Sequence, residues 1–208
     1  MPKLDVKKLD IKVLIDIDNV TCNTTEAVLE HYNEKFHDNL KVDDIKDYYI
    51  EQFVKPEAKG IIPQYFEDKE MWKRVHVINQ QAIQWLIDNT HVWWATSTQC
   101  INIPKKESFL KKHFHNISVS DRLIRATHKQ MLMGDYAIDD YEKNLKGGSY
   151  QPVCIAYPWN EGKISDRYRY KSIADWIAET FGVVIEDEIT KDYEMNQYNM
   201  SMANLNNK

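Results

Sequence analysis

The chain has 208 residues, a formal net charge of −5 and three cysteines, and each of these features argues against a class of protein. The length suffices for one sizeable domain, with or without a small insertion. A small negative charge without a strongly basic region argues against binding along a nucleic acid polymer, although it permits a local positive site for a small anion. Few, widely spaced cysteines argue against a disulfide framework and favour a reducing compartment.

The sequence has no apolar stretch of about 18 residues of the kind that spans a membrane. Its first ten residues, "MPKLDVKKLD", lack the apolar centre of a signal peptide. We therefore expect a cytoplasmic protein that has no membrane partner. The composition leaves the oligomeric state open, including a homodimer.

The chain begins with a short apolar strand that is followed by a helix. Residues 11–15 are rich in β-branched side chains and nearly all apolar, as is typical of an interior strand in a parallel sheet. Asn23, with Glu26 three residues later, predicts the start of a helix that runs to Phe36. Residues 37–66 mix acidic and aromatic side chains with Pro and Gly, which indicates short helices and turns in a small cap.

Strands and helices alternate over the rest of the chain. Apolar residues at a three-four spacing predict one long amphipathic helix from Glu67 to Asn89. Four further strands are predicted, at residues 91–99, 121–126, 136–140 and 152–157. This alternation favours an α/β fold with a parallel sheet.

Two more helices and a polar tail complete the prediction. One helix is expected to begin near Pro104, and the last to run from Ser172 as N-cap to Gly182 as its C-terminal stop. Residues 184–208 are polar and have no apolar period, so we expect a disordered tail there.

The ends of the predicted strands carry chemically useful side chains. In an open parallel sheet, ligands bind at the carboxyl ends of the strands, so residues at those ends are the candidates for a site. In chain order the candidates are Asp16 and Asp18, Thr96 and Ser97, Lys129, and Asp139 and Asp140. Each group taken alone is more often a solvated strand end or a helix cap. Their conjunction, with carboxylates that a cation such as Mg²⁺ would stabilise, indicates a phosphoryl-transfer site.

Each candidate has a chemical role in the release of phosphate. Asp16 would attack phosphorus and form an aspartyl-phosphate, which splits one difficult step into two. Asp18 would protonate the leaving alkoxide and later accept a proton from the hydrolytic water. Two roles remain for the other candidates: phosphate binding by Thr96 and Lys129, and metal binding by Asp139 and Asp140.

The same residues resemble the motifs of one superfamily. "VLIDIDNV" resembles the hhhDxDxV motif of phosphatases of the haloacid dehalogenase type, "WATS" their second motif, "THK" their lysine motif and "AIDD" their acidic motif. Within that superfamily, "HKQMLMGDYAIDD" and "CIAYPWN" are most similar to the 5'(3')-deoxyribonucleotidases. The resemblance spans residues 11–182.

This resemblance implies a fold and a reaction. The fold is a Rossmann-like core at residues 1–22 and 83–183, with a helical cap inserted after the first strand at residues 23–82. The reaction is the Mg²⁺-dependent dephosphorylation of deoxyribonucleoside 5'- or 3'-monophosphates.

The resemblance also assigns the site residues. Asp16 is the expected nucleophile and Asp18 the acid and base. Mg²⁺ is expected to bind the Asp16 side chain, the Asp18 backbone carbonyl and the Asp140 carboxylate, with Asp139 beside these ligands. The expected phosphate-binding residues are Thr96, Ser97 and Lys129.

The identity of the substrate stays open in the sequence. Asn19 stands where the family usually has glycine, and Thr24 where it has an aromatic residue near the base. Base contacts are therefore expected from aromatic residues of the cap, namely Tyr48, Tyr49, Phe53, Tyr65 and Phe66. The alternatives are a related phosphatase for another small phosphomonoester and a non-catalytic nucleotide-binding module with the same core.

Overall fold

A computed structural model of the protein describes residues 8–186. Its centre is a parallel sheet of six strands in the order β3-β2-β1-β4-β5-β6. The strands are β1 (Lys12–Ile15), β2 (His91–Thr96), β3 (Leu123–Arg125), β4 (Tyr136–Asp139), β5 (Gln151–Ile155) and β6 (Arg169–Tyr170). The predicted α/β fold with a parallel Rossmann-like sheet is confirmed, and β6 is a strand that the sequence pattern did not indicate.

The helices flank this sheet or lie between β1 and β2. Within residues 8–186 the α-helices are α1 (Thr24–Phe36), α2 (Ile62–Tyr65), α3 (Lys69–Trp72), α4 (Gln80–Asn89), α5 (Ile103–His113), α6 (Val119–Arg122), α7 (Glu142–Leu145) and α8 (Ile173–Phe181). Short 3₁₀ helices occupy Val42–Asp44, Ile50–Gln52, Pro56–Ala58, Cys100–Asn102, Lys129–Met131, Pro158–Asn160 and Asp166–Tyr168. None of these described helices has the length and apolar character needed to cross a membrane.

The sheet is buried on both faces, which explains why β1 is an almost unbroken apolar run. On one face, Val13 and Ile15 belong to the largest core cluster, together with residues of α4 and α8. On the other face, Leu14 packs in a smaller cluster with residues of β4 and β5. Because β1 pairs with β2 and β4, the residues that follow it lie at the centre of the sheet edge.

The last helix begins and ends as predicted. The backbone N–H of Asp175 donates to the Ser172 hydroxyl, and Gly182 adopts a left-handed backbone with φ of 69°. The described chain continues beyond this stop, and Ile185 packs against the main core. Order therefore extends past the expected boundary at 184, and the rest of the predicted tail lies outside the described residues.

The predicted helix from Glu67 to Asn89 is wrong in its middle part. The chain forms the separate helices α3 and α4, and residues 73–79 lie between them. There the backbone pairs with a distant segment, because Ile78 N–H donates to Thr21 O at 2.9 Å and Asn23 N–H donates to His76 O at 3.2 Å. These two hydrogen bonds give the backbone partners that a continuous helix would otherwise have supplied. The apolar three-four spacing is therefore compatible with a chain that is not helical here.

The helix α1 begins directly after Asn23 and ends at Phe36, as predicted, but its capping hydrogen bond differs from the prediction. The Asn23 side chain makes no capping bond to the helix, and its Oδ1 accepts the His76 N–H at 2.7 Å. The Thr25 N–H at the start of α1 donates to Asn19 Oδ1 instead, at 2.8 Å. The residue that caps the helix is therefore Asn19, four positions earlier.

Candidate active site

The structure brings the predicted residues together at the carboxyl edge of the sheet. Asp16 directly follows β1, Thr96 ends β2 and Asp139 ends β4. Lys129 reaches the same edge from the 3₁₀ helix after β3, and all four side chains are buried. Ser97 differs from them because it is exposed and lies in the wall of the adjoining cavity.

Lys129 forms two ion pairs in this cluster. Its Nζ lies 2.5 Å from Asp16 Oδ1 and donates to Asp139 Oδ2 at 2.7 Å. Burial alone would lower the pKa of Lys129, but the charges of Asp139 and Asp16 outweigh it and raise that pKa. The lysine therefore stays positively charged beside the expected nucleophile.

Asp139 is saturated by donors from the protein. Besides Lys129, its oxygens accept the Tyr141 N–H at 2.9 Å and Asn144 Nδ2 at 3.2 Å. This arrangement holds the loop after β4 in place. The role expected for Asp139, beside the metal ligands, stays a prediction.

Three buried carboxylates form a compact acidic cluster. Asp16, Asp139 and Asp140 each offer one oxygen, and these oxygens lie within 4.8 Å of one another. Burial raises the pKa of Asp16 to about 7, with Asp139 and Asp18 adding to the rise and Lys129 opposing it. Burial and the charges of Asp139 and Asp16 also raise the pKa of Asp140 well above its usual range. Such a set of oxygens could bind a divalent cation, which would relieve this repulsion.

Asp18 lies outside that acidic cluster and is held by its own donors. Its Oδ1 accepts the Thr24 hydroxyl at 2.8 Å, and its Oδ2 forms an ion pair with Lys106 Nζ. The same Nζ donates to Thr96 Oγ1 at 3.0 Å. Burial would raise the pKa of Asp18, but Lys106 and the Thr24 hydrogen bond more than compensate, so that the pKa is lowered.

Lys106 is a site residue that the sequence interpretation missed. It lies on α5 among several other lysines, which made a solvated helix the natural reading. Its position four residues before the buried Leu110 was the available signal, since residues at that spacing share one helix face. That face points at the sheet edge, and Lys106 has no exposed surface there.

Two asparagines fix the other end of the acidic cluster. Asn19 adopts a left-handed backbone with φ of 58°, which explains how it replaces the usual glycine. Its Nδ2 donates to Asp140 Oδ2 at 2.9 Å, while its Oδ1 caps α1. Asn160, from the turn after β5, donates to the backbone carbonyl oxygens of Asp140 at 2.8 Å and Ile155 at 2.7 Å. Asp140 is therefore held at both its side chain and its backbone.

A cavity of about 290 Å³ opens beside Asp18, between the sheet edge and the segment that precedes α3. Three of the five predicted aromatic residues line it, namely Tyr48, Tyr49 and Phe66. Tyr65 and Phe53 do not line it, and they pack in apolar clusters of the same segment. Trp159 and Asn102 are among the lining residues that the sequence analysis did not anticipate.

Tyr48 connects this segment to the sheet edge. Its ring stacks on Tyr141, which follows the acidic pair, with 3.7 Å between the ring centroids. Asp47 next to it forms an ion pair with Lys163 at 3.2 Å. The wall of the cavity is thus attached to the core on the side of the acidic cluster.

Comparisons with known proteins identify a family for this chain. The family model for "5' nucleotidase, deoxy (Pyrimidine), cytosolic type C protein" matches residues 10–184. A "5'(3')-deoxyribonucleotidase" of Clostridium acetobutylicum is 26% identical over 156 residues, which cover 74% of this chain and 85% of that protein. A Staphylococcus epidermidis protein that is named as a candidate for the same activity is 20% identical over 169 residues, 79% of this chain and 91% of its own.

Solved structures show the same fold at low sequence identity. A haloacid dehalogenase-like hydrolase from Burkholderia xenovorans LB400 superposes with a TM-score of 0.54 at 13% identity, covering 83% of this chain and 97% of that one. A haloacid dehalogenase-like family protein of Streptococcus pneumoniae gives 0.50 at 11% identity, covering 71% and 85% of the two chains. The predicted resemblance and the predicted enzyme class, a phosphoric monoester hydrolase, are confirmed. The chain belongs to the family of cytosolic type C deoxy-(pyrimidine) 5'-nucleotidases.

Proposed function

We propose that the protein removes phosphate from deoxyribonucleoside 5'- or 3'-monophosphates in a Mg²⁺-dependent reaction that passes through an aspartyl-phosphate. One observation carries the proposal: the buried Asp16 lies 2.5 Å from Lys129, at a sheet edge that opens into a cavity of about 290 Å³. That volume is close to the lower end of the range typical of small-molecule sites. Aromatic side chains in its wall suit a flat base.

The residues present fit a Mg²⁺ ion. Carboxylate and carbonyl oxygens are the ligands that Mg²⁺ prefers, and the raised pKa values of Asp16 and Asp140 indicate a deficit of positive charge there. Asp16, Asp140 and the backbone carbonyl of Asp18 would hold the ion, while Asn19 orients Asp140. When bound, Mg²⁺ would offset the negative charge of the phosphate oxygens and so favour attack at phosphorus.

Asp16 acts as the nucleophile in this proposal. Its carboxylate oxygen forms a bond to phosphorus as the bond from phosphorus to the ester oxygen breaks. Lys129 holds the Asp16 side chain in position and balances the charge that gathers on the phosphoryl oxygens. Water then attacks phosphorus, the bond from phosphorus to Asp16 breaks, and inorganic phosphate leaves.

Asp18 supplies and recovers the proton. It gives a proton to the departing alkoxide in the first step and takes one from the attacking water in the second. Lys106 contacts both Asp18 and Thr96, so a phosphate dianion bound at Thr96 and Ser97 competes with Asp18 for that positive charge. The competition weakens the hold of Lys106 on Asp18 and lets Asp18 carry a proton when the ester oxygen needs it.

Residues 23–82 act in this proposal as a cap that selects the substrate, and residues 1–22 and 83–183 act as the catalytic core. Support comes from the separate apolar cluster around Tyr32, Tyr65 and Met71, and from the cap residues that line the cavity. A cap of this kind excludes water from the reacting phosphate. The description of the family as cytosolic supports a cytoplasmic location.

Phosphate release from a panel of esters tests the proposal. The panel contains dUMP, dTMP, dGMP, UMP, 2-deoxyribose 5-phosphate and p-nitrophenyl phosphate, each with Mg²⁺ or with EDTA. We expect metal-dependent release that favours the deoxynucleotides. If phosphate is released only from the other esters, the proposed reaction stands and the proposed substrate is wrong. If the folded protein binds nucleotides but releases no phosphate, the proposed catalysis is wrong.

A further inference from the structure

Unpartnered polar atoms in the cavity wall point to the part of the substrate that is not phosphate. Among residues 8–186, eight buried side-chain nitrogen or oxygen atoms have no hydrogen-bond partner. Two of them belong to residues that line the cavity, Asn102 Oδ1 and Trp159 Nε1. Leaving such an atom unpaired costs about 1–3 kcal/mol, so each one needs a reason.

Asn102 has no local structural role that would explain its burial. Only 3% of its surface is exposed, although it stands at the N-cap of α5, where asparagine normally caps the helix. Its side chain makes no capping bond, and the second helical residue is Pro104, which has no N–H to offer. The carboxamide is therefore free to bind a ligand.

Trp159 is the less informative of the two. Its ring stacks on Tyr157 with 4.3 Å between centroids and packs with Leu29 and Ile45 in an apolar cluster. The indole thus contributes to packing whether or not its N–H meets a ligand. Within residues 8–186, no hydrogen bond of the Asn102 carboxamide explains its place in the wall.

The surroundings of Asn102 suit a flat heteroaromatic ring. Phe66 lines the same cavity, and its carbonyl accepts Lys105 Nζ of α5 at 3.2 Å and Trp72 Nε1 at 2.7 Å. The hydrogen bond from Lys105 ties Phe66 to the helix that begins next to Asn102, and the one from Trp72 ties it to α3. Tyr49 also lines the cavity and has 55% of its surface exposed, so an aromatic face is available to a ligand.

We propose that Asn102 recognises the nucleobase through its carboxamide and is a specificity-determining residue of this enzyme. The inference rests on the proposed function, since it takes a nucleotide as the substrate. An amide offers a donor and an acceptor in one plane, which matches the adjacent donor and acceptor on the edge of a base. A half-turn of the amide exchanges the two, so Asn102 separates substrates with a base from those without one and does not choose between bases.

Two substitutions of similar shape test this role. Asn102→Leu keeps the size of the side chain and removes its hydrogen-bonding groups. Gln151→Leu makes a similar change at an exposed residue that begins β5 and does not line the cavity. KM and kcat are measured with dUMP, dTMP and 2-deoxyribose 5-phosphate. For Asn102→Leu we expect KM to rise about tenfold with both nucleotides, which corresponds to the loss of about one hydrogen bond. KM for 2-deoxyribose 5-phosphate should stay unchanged. Gln151→Leu should leave every KM within about twofold, because Gln151 lies outside the cavity and has no contact with the substrate to lose.

The thermal midpoint of the Asn102→Leu protein provides a second readout. Because no hydrogen bond joins the Asn102 carboxamide to the described protein, its replacement should leave the midpoint unchanged or raise it. A lowered midpoint with equal losses for all three substrates would assign Asn102 a purely structural role and overturn the inference, as would an unchanged KM for the nucleotides. If the wild type prefers nucleotides and Asn102→Leu keeps that preference, this inference alone is wrong. A wild type without such a preference contradicts the proposed function as well.

Discussion

Lys106 has no exposed surface, and its Nζ forms an ion pair with Asp18 at the carboxyl edge of the sheet. The same atom donates to Thr96 Oγ1, so one lysine joins the proposed acid and base to the proposed phosphate-binding threonine. A buried lysine is stable only where a partner compensates its lost hydration. The geometry of these three residues is therefore interdependent.

Replacing Lys106 should damage both stability and turnover. Lys106→Met leaves the Asp18 charge without its partner, and breaking a buried ion pair in this way costs about 3–5 kcal/mol. Loss of a positive group next to the reacting phosphate should lower kcat about 100-fold or more. Urea unfolding and phosphate release measure the two effects.

Lys111→Met is the matched control for this change. Lys111 pairs with Glu107 on the same helix but is exposed. The loss of such a surface pair costs about 1 kcal/mol or less. Equal effects of the two substitutions would contradict the role assigned to Lys106.

The stability of the metal-free protein should fall as the pH rises. The pKa of Asp16 is about 7 in the folded protein against 3.8 in the unfolded chain, so the folded state holds a proton that the unfolded chain has released. Each such group then lowers the free energy of unfolding by up to about 1.4 kcal/mol per pH unit between these values. Asp140, with its raised pKa, acts in the same direction.

Urea unfolding in EDTA at pH 5, 6 and 7 checks this dependence. Asp18 has a lowered pKa, so its contribution is lost as the pH falls and lies mostly below this range. Asp16→Asn should flatten the decline and abolish turnover while the protein stays folded. A wild type whose stability is constant or rises over this interval would show that the acidic cluster is not strained.

Addition of Mg²⁺ should restore stability at neutral pH. An ion that binds only the folded state stabilises it by about 2.7 kcal/mol at a concentration of 100 times its Kd. We expect the thermal midpoint to rise with Mg²⁺ in the wild type and to stay constant in Asp140→Asn. Asp43→Asn removes an exposed carboxylate that does not belong to the acidic cluster. Its thermal midpoint should rise with Mg²⁺ as much as that of the wild type.

The stack between Tyr48 and Tyr141 should matter for substrate binding. Tyr48→Ala removes a ring pair of the kind that contributes about 0.5–1.5 kcal/mol and detaches the wall of the cavity from the core. KM for dUMP should rise, and the thermal midpoint should fall. Tyr48→Phe keeps the ring and should behave like the wild type, so a loss in that variant would assign the effect to the hydroxyl.

The sequence was sufficient to locate most of the candidate site because sheet geometry is general. Apolar runs that end in Asp16, Thr96 and Asp139 identify strand ends, and parallel strands place those ends on one edge. Lys106 escaped prediction because the burial of a lysine depends on a carboxylate that lies 88 positions away along the chain. Local periodicity contains no information about such a partner.

The misassigned helix has the same physical origin. The apolar spacing between Glu67 and Asn89 indicates which side chains are buried. It does not indicate which groups form hydrogen bonds with the backbone. Around Val77 those bonds go to residues near Cys22, which are distant in sequence. Asn19 likewise looked like a tolerated replacement of glycine, and only its neighbours in space show that it caps α1 and holds Asp140.

The pairing of residues 21–23 with residues 76–78 has a consequence for how this enzyme can diversify. The chain leaves the core and returns to it at nearly the same point, so the intervening loop of helices is closed at its base. Insertions whose ends meet in this way can change in length and content at little cost to the scaffold. In the proposed function, new substrates can therefore arise by changes in the proposed cap, while the strand ends that carry the candidate site stay where they are.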